Sequence, residues 1–417
     1  MFGSRTPLSL DELACVLERL AALDGADATE AEQIDYVAAL EKLKGAAAGA
    51  QVRVTDHLAA ARTAREAEGG VPPARRCQGL AAEIALARRC GPHRGAQSLG
   101  LARALVREMP HTHGLLARGE ISEWRATLVV RETAVLSAEH RAQVDAELAH
   151  DLAHLGDREA AAKARAIGYR LDPGSAIRRT RGARSDRHVA LRPAPDTMSY
   201  LTAFLPVEQG VACLAALRHA ADTARSDGDA RSRGQVMADT LVERTTGRAH
   251  AADIDVEVQL VITDTTLLSD DHTPARVVGY GPIHAALARQ IVREAPRAWL
   301  RRLYTHPDSK ALVAMDSHRR PFDGELREFL VVRDHLCRTP WCDAPIRHAD
   351  HITRAFDGGD TSAQNGQGLC EACNYAKEAA DWNALPLPTD RHEVLITTPT
   401  GHTYVSTAPD PALRAAT

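Results

Sequence analysis

Eight cysteines occur in the chain, and four of them form two closely spaced pairs within 37 residues. The first pair is Cys337 and Cys342 in CRTPWC, and the second is Cys370 and Cys373 in CEAC. Two short-spaced pairs of this kind are typical of a zinc site with four thiolate ligands. Such a site is structural, because four thiolates leave no open coordination position, and it stabilises a segment too small to fold alone. A redox role for CEAC would leave the first pair unexplained.

The other four cysteines are scattered singly through helical sequence, and we interpret them as small buried hydrophobic side chains. They are Cys15, Cys77, Cys90 and Cys213. A reducing cytoplasm would argue against disulfides, so the four clustered cysteines are predicted to be metal ligands. The N-terminus lacks the basic and apolar regions of a signal peptide, and no apolar run approaches the ~20 residues that span a bilayer. These features predict a cytoplasmic protein with no membrane partner.

A length of 417 residues predicts more than one domain. The expected fold class is mainly α with an α+β middle region, followed by a small zinc-containing α+β domain. Alanine-rich sequence with apolar residues at helical spacing predicts that the N-terminal part is a helical domain. The predicted boundaries are 1–168 for the helical domain, 169–187 for a basic connector, 188–322 for the α+β region, 323–385 for the zinc domain and 386–417 for a C-terminal hairpin and tail.

The net charge of −4 means that any binding to nucleic acid must come from local basic patches. The steepest basic excess lies between Lys163 and Arg192, where nine lysine or arginine residues accompany two aspartates. Two interpretations stay open for this stretch. It is either a solvated linker between domains or an arm that contacts phosphate groups.

The sequence around the second cysteine pair contains polar residues that zinc binding does not explain. RHADHI predicts a short strand that carries Asp350 and His351, and a helix is expected to follow. On that helix, the side chains of Cys373 and Asn374 diverge by ~100°, so one can bind zinc while the other faces elsewhere. Lys377 lies three residues beyond Asn374 and shares its face. The strand and the helix can therefore meet in one cleft.

The residue types in this cleft suit the hydrolysis of a phosphodiester. The Asp350 carboxylate and the Asn374 amide oxygen are hard ligands, which favour Mg²⁺ or Mn²⁺. A neutral His351 can take a proton from the attacking water. The Lys377 ammonium can pair with the negative charge of the phosphate. The set predicts a metal-dependent phosphodiester hydrolase.

In chain order, ADHI, the turn DGG, Asn365 and LCEACNYAK resemble the HNH endonuclease motif, the ββα-metal fold, in its zinc-stapled form. The resemblance covers about an eighth of the chain. It implies a DNA substrate, with His351 as the general base and Asp350 and Asn374 holding the catalytic ion. It implies that Asn365 braces the loop and helps to orient the histidine. The expected metals are a structural Zn²⁺ and a catalytic Mg²⁺, Mn²⁺ or Ni²⁺, and the preferred one is open because the last motif position is asparagine rather than histidine.

Much of the remaining chain resembles one group, the actinobacterial HNH proteins with a long helical N-terminal domain of unknown function. The similar stretches are LLARGEISEWRATLVVRETA, LPVEQGVA, RSRGQVMADTLVER, LRRLYT and TTPTGHTY. The resemblance implies no activity for the helical domain itself.

Basic residues around the motif are predicted to contact the DNA backbone. They are Arg333, Arg338, Arg347, Arg354 and Lys377. Since most contacts would go to phosphate, we expect weak sequence preference and steep salt dependence. One subunit would nick a single strand, whereas a homodimer could cut both, and the sequence leaves this open. Two alternatives to a nuclease also stay open: a non-catalytic zinc-ribbon DNA-binding protein, and an HNH protein that has lost turnover.

Overall fold

The first part of the chain is helical, and the later part combines helices with small antiparallel sheets. The computed structural model describes residues 8–174, 182, 184–247, 260–269, 271–278, 280–294, 303–305, 312–315 and 322–410. This architecture confirms the predicted fold class of mainly α structure with an α+β region. Parts of the predicted basic connector and of the α+β region lie outside the described residues.

Eight α-helices are described before residue 174. They are α1 Leu10–Ala21, α2 Glu30–Glu68, α3 Leu80–Ala87, α4 Pro92–Arg107, α5 Pro110–Ala117, α6 Glu123–Thr133, α7 Ala138–Leu148 and α8 Asp157–Leu171. Ser9 and Thr29 cap α1 and α2, because each exchanges hydrogen bonds with a glutamate three residues later. Among the described residues, no helix combines the length and the apolar character that crossing a bilayer requires.

Six further helices and twelve strands are described after residue 174. The helices are α9 Val207–Ser226, α10 Arg233–Thr246, α11 Asp264–Leu268, α12 Ala285–Glu294, α13 Phe322–Asp334 and α14 Glu371–Lys377. The strands are β1 His188–Pro193, β2 Ser199–Phe204, β3 Leu260–Val261, β4 Ala275–Val277, β5 Gly281–Ile283, β6 Leu303–Thr305, β7 Leu312–Met315, β8 His348–His351, β9 Gly366–Leu369, β10 Asn383–Leu387, β11 Glu393–Thr397 and β12 Thr403–Thr407.

All strand pairings are antiparallel among the described residues. The sheets are β1–β2, β3–β4–β5, β6–β7, β8–β9 and β10–β11–β12. The predicted C-terminal hairpin is confirmed as β11 and β12, in the register Glu393 opposite Thr407. β10 pairs with β11 as a third strand, so this sheet begins at Asn383, before the predicted boundary at 386.

The chain divides into two compact units that do not follow the predicted linear boundaries. One unit contains residues 1–57 and 101–173, and its core is an apolar cluster built from α2 and from α4 to α8. The other unit contains residues 58–100 and 174–417. Residues 58–100 were expected in the N-terminal helical domain, but they group with the region that carries the clustered cysteines.

Helix α3 explains why residues 58–100 group with the later chain. Ala82 and Leu86 of α3 belong to the same buried apolar cluster as Ile352, Ala376 and Trp382. Burial of these side chains removes apolar surface from water, at about 25 cal/mol for each Å². Contacts of this kind join segments that are more than 260 residues apart in the sequence. They place α3 beside α14, which follows the second cysteine pair.

Two contacts around α3 have specific sequence requirements. Gly79 has a φ of +78° and lies against the Trp382 indole, so a Cβ at this position would clash with the indole nitrogen. Glu83 is buried and accepts hydrogen bonds from the Arg62 guanidinium at 2.7 Å and from the Thr400 backbone N–H at 3.1 Å. The second contact attaches α3 to the turn between β11 and β12.

The interpretation of the four scattered cysteines as buried side chains is wrong. Cys15 and Cys213 are exposed, and Cys77 and Cys90 are half-buried. For Cys15 and Cys213 the reason lies in the helices that carry them, whereas Cys77 and Cys90 lie outside the helices. Helix α1 has no buried residue, and Ala221 is the one buried residue of α9.

Candidate functional site

Two strands and a helix form the unit that the polar motif predicts. β8 pairs with β9, with His351 opposite Gly366, and α14 begins two residues after β9 ends. Cys370 is the N-cap of α14, and its Sγ accepts a hydrogen bond from the Cys373 backbone N–H at 3.4 Å. The strand with Asp350 and His351 and the helix with Asn374 therefore belong to one local ββα arrangement.

The four clustered cysteines converge, as their spacing predicts. The Sγ atoms of Cys337, Cys342, Cys370 and Cys373 all lie within 4.8 Å of one another, and all four residues are buried. The Sγ atoms of Cys342 and Cys370 are 3.7 Å apart. Zn–S bonds of about 2.3 Å place the thiolates of a tetrahedral site roughly 3.8 Å apart, so the residues fit a structural zinc ion.

Local backbone geometry orients the side chains of the first cysteine pair towards those of the second. Trp341 has a φ of +59°, and the Cys342 N–H donates to the Thr339 carbonyl at 3.0 Å, which closes a tight turn. The Cys337 N–H donates to the Ala344 carbonyl at 3.0 Å. Hydrogen bonds among the four thiols lower the pKa of Cys370 and raise those of Cys342 and Cys373, because the closely packed thiols share their protons.

Two oxygen atoms in the cleft beside the cysteine cluster are buried, and the one on Asn374 has no hydrogen-bond partner. They are Oδ2 of Asp350 on β8 and Oδ1 of Asn374 on α14. The Lys377 ammonium forms an ion pair with the same Asp350 oxygen, although the two groups are not aligned as a hydrogen bond. Buried polar atoms are rarely left without a partner. A carboxylate and an amide oxygen suit a hard divalent cation, so these two residues fit a second metal site.

His351 is held by a contact that the sequence motif did not indicate. Its Nε2 atom and the Thr361 hydroxyl are 2.8 Å apart. The hydrogen bonds of the Asn365 side chain go to the loop backbone. Its Oδ1 accepts the Thr353 N–H at 2.8 Å, and its Nδ2 donates to the Thr353 and Asp360 carbonyls at 3.0 and 2.8 Å. Asn365 therefore braces the loop between β8 and β9, and the imidazole contact comes from Thr361.

The glycine turn in this loop is required by close packing. Gly358 has a φ of +89°, which favours glycine. At Gly359, a Cβ would overlap the Thr353 carbonyl oxygen and would crowd Asn365. The turn thus brings the loop backbone onto the Asn365 side chain, and it places Thr361 near His351.

Two of the predicted DNA-contacting arginines are buried, so that prediction is wrong for Arg333 and Arg338. Only 2% of Arg333 and 3% of Arg338 is exposed. The two guanidinium groups share the buried carboxylate of Asp334, with N–O distances of 2.7 and 3.2 Å. Asp334 also accepts the Gly368 N–H of β9 at 2.7 Å. The buried Asp334 carboxylate needs positive partners, and both arginines are buried because they pair with it.

The same arginines connect the strands around the cysteine cluster. Arg333 donates to the Gly366 carbonyl at 2.7 Å, and Arg338 donates to the His392 and Ser406 carbonyls at 3.0 and 2.8 Å. The first bond holds β9, and the other two hold the neighbourhood of β11 and β12. Arg333 and Arg338 are close to the motif in sequence, but their side chains stabilise the fold and do not face a ligand.

The other predicted basic contacts have different surroundings. Arg347 is exposed, and Arg354 is half-buried beside Glu378, with a nitrogen–oxygen distance of 3.4 Å. Lys377 is 9% exposed, and its ammonium donates to the His351 carbonyl at 2.5 Å. Lys377 therefore shares the cleft with Asp350, as expected. Its charge faces that carboxylate rather than open solvent, which corrects its assignment as a DNA contact.

Burial near Arg333 and Arg338 affects the titration of His392. Burial and these two guanidinium groups lower the pKa of His392 to about 4. The unfolded chain, with a pKa of about 6.5, binds the proton more readily, so stability is lost as the pH falls below 6.5 towards 4. Between pH 7.5 and 5.5, we expect the wild type to lose about 1.3 kcal/mol more than His392→Gln, as measured by urea unfolding. His402→Gln removes an exposed imidazole from the turn between β11 and β12, and an equal effect there would contradict this assignment.

The fold and the cysteine cluster together define a mainly helical protein with a four-thiol site that can hold a metal ion. The chain belongs to the DUF222 family, because the family model described as "Domain of unknown function (DUF222)" matches residues 37–334. The match ends before Cys337, so the ββα unit lies outside it. No solved structure gives a significant match.

Two curated relatives come from Mycobacterium tuberculosis. They are the uncharacterized protein MT2160 of strain CDC 1551 / Oshkosh and the uncharacterized protein Rv2100 of strain ATCC 25618 / H37Rv. Each is 31% identical to this chain over 139 residues, which is 32% of this chain and 24% of the relative. The matched segment thus spans about a quarter of each relative.

Proposed function

We propose that the protein is a metal-dependent DNA endonuclease of the HNH type, with its catalytic centre in the cleft between β8 and α14. The observation that carries the proposal is the buried Oδ1 of Asn374, which lacks a hydrogen-bond partner, in the same cleft as the Asp350 carboxylate, which pairs with the Lys377 ammonium. His351 follows Asp350 directly on the same strand. The proposal is also supported by the resemblance of the β8–β9–α14 sequence to the HNH motif.

Asp350 and Asn374 would hold the catalytic divalent ion, Mg²⁺, Mn²⁺ or Ni²⁺. When bound, the ion supplies charge stabilisation for the phosphoryl oxygen and for the leaving oxygen. Lys377 keeps positive charge beside Asp350 and, through its bond to the His351 carbonyl, ties α14 to β8. The four-cysteine cluster would hold a structural Zn²⁺, which keeps Asn374 in place because Cys373 directly precedes it.

His351 would act as the general base. If its Nε2–H donates to the Thr361 hydroxyl, the Nδ1 lone pair is available to accept a proton from the attacking water. Asn365 maintains the loop that presents Thr361. Thr361 is therefore a positioning residue for His351 in this mechanism.

The substrate in this proposal is DNA in the cytoplasm, where the cysteine thiols stay reduced. A monomer would nick one strand, and a homodimer would be needed to cut both strands together. Arg347 and Arg354 are the remaining candidates for phosphate contact among the predicted arginines. Their contribution would be independent of base sequence, because phosphate contacts carry no direct base information.

Nicking of supercoiled plasmid tests the proposal directly. We expect the purified zinc-loaded wild type to convert supercoiled to nicked or linear DNA with Mg²⁺, Mn²⁺ or Ni²⁺, and to show no conversion with EDTA. Asn374→Ala removes one of the two metal-binding oxygens, so it should require a Mn²⁺ concentration at least about 10-fold higher for half-maximal nicking. Titration of Mn²⁺ by electron paramagnetic resonance should show the same shift without any DNA.

Asn383→Ala is the control, since Asn383 is an exposed residue of β10. An equal Mn²⁺ requirement in Asn374→Ala and Asn383→Ala would contradict the assignment of the metal site. If the wild type binds DNA but no divalent ion supports cleavage, the result would favour a non-catalytic zinc-ribbon protein or an HNH protein without turnover.

A further inference from the structure

An arginine-rich segment of the DUF222 region lies beside the ββα unit. Five arginines occur in the 22 residues from 73 to 94, where the only acidic residue is Glu83. Since Glu83 is buried and paired with Arg62, it does not offset the surface charge of the segment. The exposed arginines are Arg75, Arg89 and Arg94. The segment therefore presents positive charge on a chain whose net charge is negative.

A groove separates this segment from α14. Its volume is about 490 Å³. The residues that line it include Gln78, Ala82 and Pro92 on the segment and Ala372, Tyr375 and Ala376 on α14. Tyr375 is 62% exposed and directly follows Asn374, the proposed metal ligand. Tyr375 and Asn374 lie on different faces of α14, because neighbouring helical residues diverge by ~100°, so a single short helix carries both a groove residue and the proposed metal ligand.

The exposed arginines flank, in sequence, the residues of this segment that line the groove. Arg75 is three residues before Gln78, Arg89 is three residues before Pro92, and Arg94 is two residues after it. The guanidinium carbon of Arg89 lies 5.8 Å from the centroid of the Trp341 ring, inside the first cysteine knuckle. Arg89 therefore connects the basic segment to the unit that carries the cysteine cluster.

We propose that residues 73–94 form a second DNA-binding surface, and that the groove between this segment and α14 holds the DNA backbone next to the cleavage site. This inference rests on the proposed function. It is supported by the charge complementarity of the exposed arginines to phosphate and by α14, which carries both residues of the groove and the proposed metal ligand Asn374. The exposed Tyr375 ring offers a face against which a sugar or a base can pack. Residues 73–94 of the DUF222 region would thus add to the DNA-binding surface of the nuclease.

Salt-dependent DNA binding tests this proposal separately from catalysis. The triple variant carries Arg75→Gln, Arg89→Gln and Arg94→Gln, and it is compared with a chain that keeps these three arginines. Both proteins also carry His351→Ala, and both are measured in Ca²⁺ buffer without EDTA. Fluorescence anisotropy of a labelled 25-base-pair duplex gives Kd over a series of salt concentrations. We expect Kd at 100 mM salt to rise at least about 10-fold, and the slope of log K against log salt to become shallower by about 2.7, the value for three lost phosphate contacts.

A second triple variant is the matched control. Arg19→Gln, Arg53→Gln, Arg158→Gln removes three exposed arginines from the other compact unit. We expect it to leave the slope unchanged. Zinc content and thermal unfolding of both triple variants should equal those of the unsubstituted chain, so a change in slope reports a binding contact rather than a folding defect.

The outcomes separate this inference from the proposed function. A wild type that nicks DNA, together with equal slopes for the two triple variants, overturns the inference and leaves the nuclease in place. A wild type that no metal activates, together with a shallower slope only for the first triple variant, supports the binding surface and overturns the catalytic proposal. Failure of the chain to bind the duplex at any salt concentration overturns the inference.

Discussion

Replacing Cys373 by serine should release the metal and unfold the region that contains β8, β9 and α14. The free energy of zinc binding at four-ligand sites is on the order of 10–16 kcal/mol at neutral pH, whereas whole domains are stable by about 5–15 kcal/mol. Loss of one thiolate therefore removes a contribution as large as the stability itself. Zinc content per chain should fall from about one to near zero, as measured by inductively coupled plasma mass spectrometry. Limited proteolysis should then cleave between residues 337 and 377.

Cys213→Ser is the control for this change. Cys213 is an exposed cysteine of α9, and none of its atoms belongs to the cluster. The control should keep its zinc and its resistance to protease. If Cys373→Ser kept one equivalent of zinc and the same protease resistance, the four-thiolate assignment would be wrong.

Replacing His351 by alanine should reduce plasmid nicking by about 10²- to 10⁴-fold, the contribution typical of a positioned general base. The effect belongs to the proposed nuclease and is measured as a single-turnover rate with saturating enzyme. Thr361→Val removes only the hydroxyl that contacts the imidazole, so its rate should lie between those of the wild type and His351→Ala. Thr361→Ser retains a hydroxyl and should restore most of the rate.

His219→Ala removes an exposed imidazole from α9 and serves as the control, with an expected rate within about twofold of the wild type. The pH dependence of the rate gives a further readout for Thr361. A positioning role predicts that Thr361→Val shifts the apparent pKa of the rate profile, whereas a purely structural role would lower protein stability without moving it. A His351→Ala variant that nicks at the wild-type rate would exclude His351 as the base.

The most predictable part of the site is its local order. The spacing of Cys337, Cys342, Cys370 and Cys373 predicted one four-thiol cluster, and their Sγ atoms do converge. The alternation around Asp350 and the helix starting at the second cysteine pair were predictable because neighbouring residues set these elements. The assignment of Asn374 to a face different from that of Cys373 follows from the 100° rotation between helical neighbours.

Side-chain roles were least predictable where partners come from distant segments. Arg333 and Arg338 are near the motif in sequence, yet both guanidinium groups form ion pairs with the buried Asp334 carboxylate. Thr361 is one polar residue in a loop of several, and only the turn at Gly359 determines that its hydroxyl reaches His351. No pattern of spacing encodes either contact, because each depends on how the loop packs.

The sequence alone determined the cysteine cluster, the strand–strand–helix order and the helical character of the N-terminal part, since short-range spacing and periodicity specify all three. The tertiary structure decided which charges are buried and which segments meet. It removed residues 58–100 from the expected N-terminal domain and packed α3 against α14, because burial of Ala82 and Leu86 with Trp382 requires that contact. Apolar burial acts between any segments that fit, regardless of their separation along the chain.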